Sequence, residues 1–325
     1  MPLKRKLPTV VTLIVFWLLP HTALAWDAVG HQLVARIAWE NMSATARRTV
    51  VDVLRAAPQD ACLLDLFPND SRPLADRERE FFVRSSTWPD IVRPDTRPGV
   101  VDTRPCIRFH RRDWHFINFF WKGTSGGTGN SRPQDLKAID PPDVNAVDQL
   151  RLLRPFLVCS SPQCGASPEE RAIVLAWILH LVGDIHQPLH TSARVTSTET
   201  KGDRGGNLFL LDGDHTLHGY WDGIVKLAIS KQQNESDAAY LERVAGIIMQ
   251  EHPRSQMSSR LQSIDFEAWA REGFETTKKA VYPVSLKRNQ KPTSGYRDNA
   301  LNIAKEAIAI GGYRLAELLN RMFGP

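Results

Sequence analysis

The sequence predicts a mostly α-helical protein that forms a single domain. Apolar residues recur at helical spacing through most of the chain after residue 25. We find neither an internal repeat nor a linker long enough to divide the chain. Histidine and aspartate residues four positions apart interrupt the helical pattern at two places, and this spacing predicts a metal-binding cleft inside the helical domain.

Residues 1–25 have the composition of a signal peptide. A basic start at residues 4–6 precedes the apolar run Thr9–Leu19, and the small residues of Ala23–Ala25 follow. The apolar run is too short to span a bilayer comfortably. We therefore expect cleavage after Ala25, a secreted or periplasmic location, and one domain over residues 26–325.

The net charge does not by itself indicate a nucleic-acid partner. The whole chain has 41 Lys and Arg against 36 Asp and Glu, a formal charge of +5. The signal segment contains three of the basic residues and no acidic ones, so 38 face 36 afterwards and the charge falls to +2. Electrostatic steering would have to come from the local arrangement of charges.

Helical patterns begin just after the expected cleavage site. They cover residues 28–42, 44–57, 76–88, 143–157, 168–187, 219–230, 237–250, 264–280 and 296–322. Ser43 is a suitable N-cap for the second helix, and Pro188 ends the fifth because it lacks an N–H donor. Residues 91–113 and 123–130 read as irregular loops, and a glycine-rich turn with a small hairpin is predicted within 202–218.

An exported chain with four cysteines predicts two disulfides. Cys159 and Cys164 enclose a short turn and are the favoured pair, which leaves Cys62 with Cys106. Three connectivities remain open from sequence alone. No Cys-x-x-Cys spacing occurs, so a cysteine-based zinc site is not expected.

The strongest chemical signal is the segment from His180 to His190. His180 and Asp184 lie one helical turn apart, and the break at Pro188 lets His190 turn back toward them. A second pair follows at His218 and Asp222. Capped or salt-bridged core residues would explain one such pair, whereas two pairs and an extra histidine favour a metal site.

The expected new N-terminus adds a further ligand set. A free α-amino group and the carbonyl oxygen of Trp26 can chelate a metal together in a five-membered ring. His31 follows on the first predicted helix and could be the next ligand.

Several segments in order resemble the secreted zinc-dependent single-strand nucleases of the S1/P1 type. The matching segments are Trp26-Asp-x-x-Gly-His31, Trp88-Pro-Asp90-x-x-Arg93, Trp114-His115-Phe116-Ile117-Asn118, His180-x-x-x-Asp184-x-x-x-x-x-His190, Gly202-Asp-Arg-Gly-Gly-Asn207 and His218-x-x-Trp221-Asp222. Together they are highly specific, and beyond residue 222 the similarity is only one of helical context.

The resemblance implies a mostly α-helical fold with a trinuclear zinc cleft, three Zn²⁺ per chain. The first zinc would take Asp90, His115, His180 and Asp184; the second His190, His218 and Asp222; the third Trp26, His31 and Asp184. Asp184 would bridge two metals and is therefore assigned a catalytic role.

The resemblance also implies how substrate is bound. Phe116 would stack on a base, and Asn118 would face the base edge, where the fungal enzymes carry Asp. Asn207 of the glycine-rich turn is assigned to the same substrate site. Arg93 would bind phosphoryl oxygens with its fork, as a catalytic and substrate-binding residue. The alternatives are a salt bridge from Arg93 to Asp90 and a core position for Phe116.

The expected function is endonucleolytic hydrolysis of single-stranded DNA and RNA to 5′-phosphate products. No stable protein partner is inferred, and no membrane association after signal removal. One alternative is a zinc-dependent phospholipase C, which also begins its mature chain with Trp. Another is a zinc-binding protein without activity, but the second zinc has only three candidate ligands, which leaves room for water or substrate.

Four further histidines are expected to lie outside the site. His186 is two residues past Asp184 and points off the ligand face of the helix. His110, His215 and His252 have no partner at metal-ligand spacing and are predicted to be surface residues.

Overall fold

A computed structural model describes residues 26–123, 134–136, 139, 141, 144–158 and 165–324. Its α-helices are α1 (Ala28–Asn41), α2 (Ala44–Arg55), α3 (Leu74–Ser85), α4 (Trp88–Ile91), α5 (Ala146–Val158), α6 (Pro168–Asp184), α7 (Leu217–Asp222), α8 (Ile224–Ala228), α9 (Asp237–Glu251), α10 (Phe266–Thr276) and α11 (Ser294–Phe323). Short 3₁₀ turns cover Gln59–Ala61, Leu64–Leu66, Pro105–Phe109, Arg112–His115, Pro188–Thr191 and Arg254–Leu261, and a π-helical turn covers Thr277–Val281. The prediction of a mostly α-helical fold is confirmed.

The core forms where α1, α6 and α11 pack together. In α6, the residues from Leu175 to Asp184 are all buried, so this helix is apolar on every side and runs through the interior. Its N-terminus is fixed by a capping box between Ser167 and Glu170. Helix α11 approaches α1 closely at Gly312, where a Cβ atom would lie 2.6 Å from Ile37.

Two of the predicted helices are interrupted in the structure. The helix predicted over 76–88 ends at Ser85, and the separate short helix α4 begins at Trp88 with Pro89 in its first turn, where the missing N–H is tolerated. The helix predicted over 219–230 is divided into α7 and α8 at Gly223, because glycine has a low helix propensity. The irregular segment 91–113 contains the two 3₁₀ turns at Pro105–Phe109 and Arg112–His115.

A small sheet was not predicted. Strand β1 (Phe119–Lys122) pairs antiparallel with β2 (Gln134–Asp135) and parallel with β3 (Ser192–Val195). The predicted hairpin within 202–218 is reduced to one antiparallel bridge between Leu210 and Thr216. The parallel pairing of β1 with β3 brings the segment after His115 beside the segment after His190.

A disulfide joins Cys62 to Cys106 and connects the 3₁₀ turns at Gln59–Ala61 and Pro105–Phe109. This is the pairing that remained after Cys159 was matched with Cys164. Those two cysteines, and residues 124–130 of the predicted loop, lie outside the described residues. Within the described part of the chain, no helix is both long and apolar enough to cross a membrane.

Candidate metal centre

Buried histidines and aspartates, together with the half-buried Asp90, meet near the C-terminal end of α6. Among the described residues they form three groups whose candidate ligand atoms lie within 4.8 Å of one another. The groups are His31, Asp90 and His180; His115, His180 and Asp184; and His190, His218 and Asp222. Every histidine and aspartate that the sequence suggested as a ligand is present in this cluster.

Asp184 lies at the centre of the cluster. Its Oδ2 is 3.2 Å from His180 Nε2 and 3.3 Å from His115 Nδ1. Its Oδ1 is 3.4 Å from His31 Nε2 and 3.3 Å from His190 Nδ1. The 3₁₀ turn after α6 returns His190 to this carboxylate, as expected from the Pro188 break. One carboxylate therefore faces histidines from four separate chain segments.

Three of the histidines are oriented by the backbone. The Nδ1 atoms of His180, His190 and His218 donate to carbonyl oxygens, those of Ser86, His115 and Gly205, at 2.8, 2.7 and 2.7 Å. A donor at Nδ1 fixes the neutral tautomer that has its lone pair on Nε2. The Nε2 atoms of His190 and His218 face each other at 3.1 Å, and that of His180 faces Asp184.

His31 reaches the cluster because α6 has a glycine at the point of contact. A Cβ atom on Gly183 would lie 2.6 Å from His31 Nδ1. The His31 ring stacks on His180 with centroids 3.9 Å apart. Burial lowers the pKa of His31 to about 4, and the neighbouring His180 adds to this effect. His31 is therefore neutral near pH 7, which is the state that binds metals.

Several buried polar atoms of the cluster form no hydrogen bond with any described residue. They are both ring nitrogens of His31, Nε2 of His115, both carboxylate oxygens of Asp184 and Oδ2 of Asp222. Buried polar atoms without partners are costly, and a cation between them would satisfy them. Imidazole nitrogens and carboxylates without a thiolate form a donor set that suits Zn²⁺. The residues present thus fit the zinc ions that the resemblance implies.

The two buried aspartates differ in their electrostatic surroundings. Burial favours the protonated form of Asp184, but His180 and His190 hold its pKa well below the usual range. Burial raises the pKa of Asp222 well above the usual range, and a hydrogen bond from Gln187 offsets only part of this. Asp222 therefore depends more strongly on a nearby cation to remain ionised.

Trp26 is fully buried, and the residue that follows it contacts Asp222. The backbone N–H of Asp27 donates to the carbonyl oxygen of Asp222 at 3.2 Å. The Asp27 side chain caps α1 by accepting from Gly30 N, and a Cβ atom at Gly30 would lie 2.8 Å from the Trp26 side chain. Residue 26 is thus held against both α1 and the end of α7.

The proposed base-binding residues flank the cluster on an extended segment. Ile117 N donates to the carbonyl oxygen of His190 at 2.8 Å, and the Ile117 side chain is buried. Phe116 and Asn118 are half-buried. Because side chains alternate along extended backbone, these two lie on the face opposite Ile117. Phe116 is therefore not a fully buried core aromatic.

Arg93 and Asn207 lie at two different parts of the site. Arg93 donates to Asp90 Oδ1 at 2.9 Å, so the structural salt bridge considered for it is present. In the glycine-rich turn, Gly205 has a φ of +60°, and a Cβ atom there would lie 2.4 Å from the carbonyl oxygen of Leu189. Asn207 closes this turn by donating to Arg204 O at 2.8 Å.

Comparison with known proteins shows the family to which this chain belongs. The S1/P1 Nuclease family model matches residues 26–324. The chain belongs to the S1/P1 nuclease family. It is 25% identical to Endonuclease 2 of Arabidopsis thaliana over 99% of both chains, and 23% identical to Endonuclease 5 of that plant over 97% of this chain and 96% of the relative. Endonuclease 4 of the same plant is 29% identical over 46% of this chain and 50% of its own length. The protein is therefore a nuclease of a metal-dependent family, and nucleic acid is its substrate class.

Two site residues of this S1/P1 nuclease were missed from its sequence. Gln187 is fully buried and donates to Asp222 Oδ1 at 2.6 Å. Asp203 is fully buried in the glycine-rich turn, where it accepts from Arg194 N at 2.9 Å and Tyr282 Oη at 2.6 Å. Both lie inside the motifs on which the resemblance is based, and this position was the only sequence feature that could have indicated a role in the site.

The remaining histidines were only partly predicted. His186 turns away from the cluster as expected, with Nδ1 donating to Val182 O and Nε2 facing Arg314. His215 is exposed, as predicted. His110 and His252 are half-buried, so each reaches the surface with only part of its side chain. Tertiary packing, which sequence spacing does not reveal, places the His110 ring 6.4 Å from that of His115.

Proposed function

We propose that this nuclease is a zinc-dependent endonuclease that cleaves single-stranded DNA and RNA and leaves 5′-phosphate ends. The observation that carries the proposal is the set of buried nitrogen and carboxylate atoms around Asp184 that lack hydrogen bonds to the described residues. Their number and types suit three zinc ions in one cleft.

The ligand sets follow the assignment from the resemblance. Asp90, His115, His180 and Asp184 would hold one ion; His190, His218 and Asp222 a second; the Trp26 amine and carbonyl, His31 and Asp184 a third. When bound, zinc lowers the pKa of a coordinated water and stabilises negative charge on the departing oxygen. Asp184 belongs to two of these ligand sets and connects them, since its oxygens face His115 and His180 of one set and His31 of the other.

Arg93 is proposed to contact the reacting phosphate. Its ion pair with Asp90 holds the side chain near the cluster, and a planar guanidinium is suited to bind phosphoryl oxygens. In this arrangement, the ion pair positions the fork before substrate arrives.

The preference for single strands rests on Phe116 and Asn118. A half-buried aromatic ring beside a metal cluster can stack on an unpaired base, with a contribution of about 1–3 kcal/mol per base. A base within a duplex is not available for this contact. We assign Asn118 and Asn207 to polar contacts with the same nucleotide.

Export and activity are linked in this proposal. The Trp26 nitrogen is an amide until the Ala25–Trp26 bond is cut, and an amide nitrogen binds zinc poorly. We expect the chain that begins at Trp26 to hold three zinc ions and the same chain with one added N-terminal Gly to hold two, with most activity lost. Metal analysis and turnover of both forms test this; equal zinc content and activity would exclude the amine as a ligand.

The function itself is tested with four substrates of one sequence: single-stranded and duplex DNA, and single-stranded and duplex RNA. We expect both single strands to be cut well and both duplexes slowly, with 5′-phosphate ends detected by mass spectrometry. Chelator should abolish cleavage and zinc should restore it. Cleavage of duplexes at the single-strand rate, products with 3′-phosphates, or full activity in chelator would contradict the corresponding part of the proposal.

A further inference from the structure

Gln187 lies between His190 and Asp222, two members of the group formed by His190, His218 and Asp222. It precedes the 3₁₀ turn Pro188–Thr191, which carries His190, and its side chain is fully buried. Its amide reaches Asp222, which comes from α7, a different part of the chain. One side chain therefore connects the turn that supplies His190 to the carboxylate of Asp222.

The hydrogen bonds determine which way the Gln187 amide points. Leu189 N–H can only donate, and it donates to Gln187 Oε1. The NH₂ group must then face Asp222, where it donates to Oδ1 at 2.6 Å. Because both ends of the amide are engaged inside the protein, the group cannot rotate without losing a buried hydrogen bond.

The contact leaves the two oxygens of Asp222 in different positions. Oδ1 is occupied by Gln187, whereas Oδ2 is buried, forms no hydrogen bond to a described residue, and lies 3.5 Å from His218 Nε2. The carboxylate is thus turned so that Oδ2 faces the His218 imidazole, while Oδ1 accepts from Gln187 and lies 3.9 Å from His190 Nε2. Without Gln187, rotation about the Asp222 side chain could exchange or remove Oδ2.

We propose that Gln187 is a positioning residue that fixes the Asp222 carboxylate for binding of a divalent metal by His190, His218 and Asp222. This inference rests on the proposed zinc-dependent function. Residues that orient metal ligands through hydrogen bonds typically change metal affinity by about 10–100-fold when they are replaced. Gln187 contacts only Asp222 among the candidate ligands, so its loss should affect only the zinc ion that Asp222 would bind.

The test compares Gln187→Met with Thr277→Val in the mature protein. Gln187→Met keeps the length of the side chain but removes the donor to Asp222. Thr277 is fully buried and donates to Pro188 O at 2.7 Å, so its replacement loosens the same turn without touching Asp222. Zinc per chain is measured by mass spectrometry of the metal after equilibration in buffers of defined free zinc.

We expect Gln187→Met to lose one zinc per chain and to require about 10–100-fold more free zinc to regain it. Thr277→Val should stay within about twofold of the wild type. Gln187→Glu keeps the acceptor for Leu189 but places a carboxylate against Asp222, and it should lose the same ion; it serves if Gln187→Met does not fold. Unchanged occupancy in the folded Gln187 variant, or an equal loss in Thr277→Val, would overturn the proposal.

A double variant separates positioning from general stabilisation. If Gln187 acts through Asp222, then adding Gln187→Met to Asp222→Ala should cause no further loss of zinc affinity. A further loss of similar size in the Asp222→Ala background would overturn the proposal. Wild-type protein that binds no zinc would overturn the zinc assignment and this inference together, whereas three zinc ions in both wild type and Gln187→Met would overturn this inference alone.

Discussion

Gly183 is the residue of α6 that faces His31. Any larger residue would collide with the imidazole, since a Cβ atom would lie 2.6 Å from its Nδ1. We predict that Gly183→Ala lowers the free energy of unfolding by about 1–3 kcal/mol through overpacking, although alanine favours helices. Zinc content should fall by one ion per chain because His31 is displaced.

Gly246 provides the matched control for this substitution. It lies inside α9, and a Cβ atom there would meet nothing within 4 Å. Gly246→Ala should raise the free energy of unfolding by up to about 1 kcal/mol. Urea unfolding and metal analysis check both variants; an unchanged zinc content in Gly183→Ala would show that the contact with His31 does not position a ligand.

His186 should make stability depend on pH. Burial and then the nearby Arg314 lower its pKa to about 3 from an ordinary value of 6.5. Between these values the unfolded chain binds a proton that the folded chain does not, so stability is lost as the pH falls from 6.5 toward 3. In His186→Gln, the slope of unfolding free energy against pH should be shallower by up to about 1.4 kcal/mol per pH unit.

Urea unfolding from pH 4.5 to 6.5 at one zinc concentration measures this difference. Metal-ligand titrations contribute to both proteins and cancel in the comparison. Parallel slopes for the wild type and His186→Gln would mean that His186 does not control this part of the acid sensitivity.

Some candidate metal ligands could be predicted from spacing, which is a local property, whereas Asp90 and His115 were assigned only through the resemblance. Residues four positions apart, such as His180 and Asp184, share a helix face in any helix. Gln187 could not be assigned in the same way, because its partner Asp222 comes from a distant segment and the contact exists only after folding. The proximity of His110 to His115 could not be predicted for the same reason, since this contact forms only in the folded protein.

At the scale of elements, α1 and α11 pack through Gly312. A Cβ atom there would lie 2.6 Å from Ile37 side-chain atoms and 2.9 Å from Val34 O. We expect Gly312→Ala to lower the unfolding free energy by about 1–3 kcal/mol, because the two helices must move apart. Gly295, in the first turn of α11, is the control because a Cβ atom there would meet nothing within 4 Å.

The two variants separate packing from metal binding. Thermal unfolding should show a lower midpoint for Gly312→Ala than for Gly295→Ala, and zinc content should be unchanged in both folded proteins. Equal unfolding midpoints for the two variants would show that the close contact of α11 with α1 at Gly312 does not contribute to stability.

Helices were predicted better than strands for a physical reason. The helical pattern repeats within a single segment, and caps such as Ser43 for α2 are read directly from the sequence. Strands β1 and β3 are four residues long and pair across more than seventy positions, as in Phe119 with Ser192. Such short strands show no distinctive periodicity, and their register depends on the folded core.

In the whole molecule, the three groups of candidate ligands come from six elements of the chain. These elements are α1, α4, the 3₁₀ turn at Arg112–His115, α6, the 3₁₀ turn at Pro188–Thr191 and α7. Folding and assembly of the centre are therefore one process, and bound metal should stabilise the entire domain. We propose that the three groups act as one zinc centre for phosphodiester hydrolysis.

Stepwise addition of zinc to metal-free mature protein tests this claim most directly, with bound zinc per chain and the rate of single-stranded DNA cleavage measured in the same samples. We expect the rate to remain low until the last of three equivalents binds and then to rise to its full value. Full activity with one zinc or fewer per chain would contradict it.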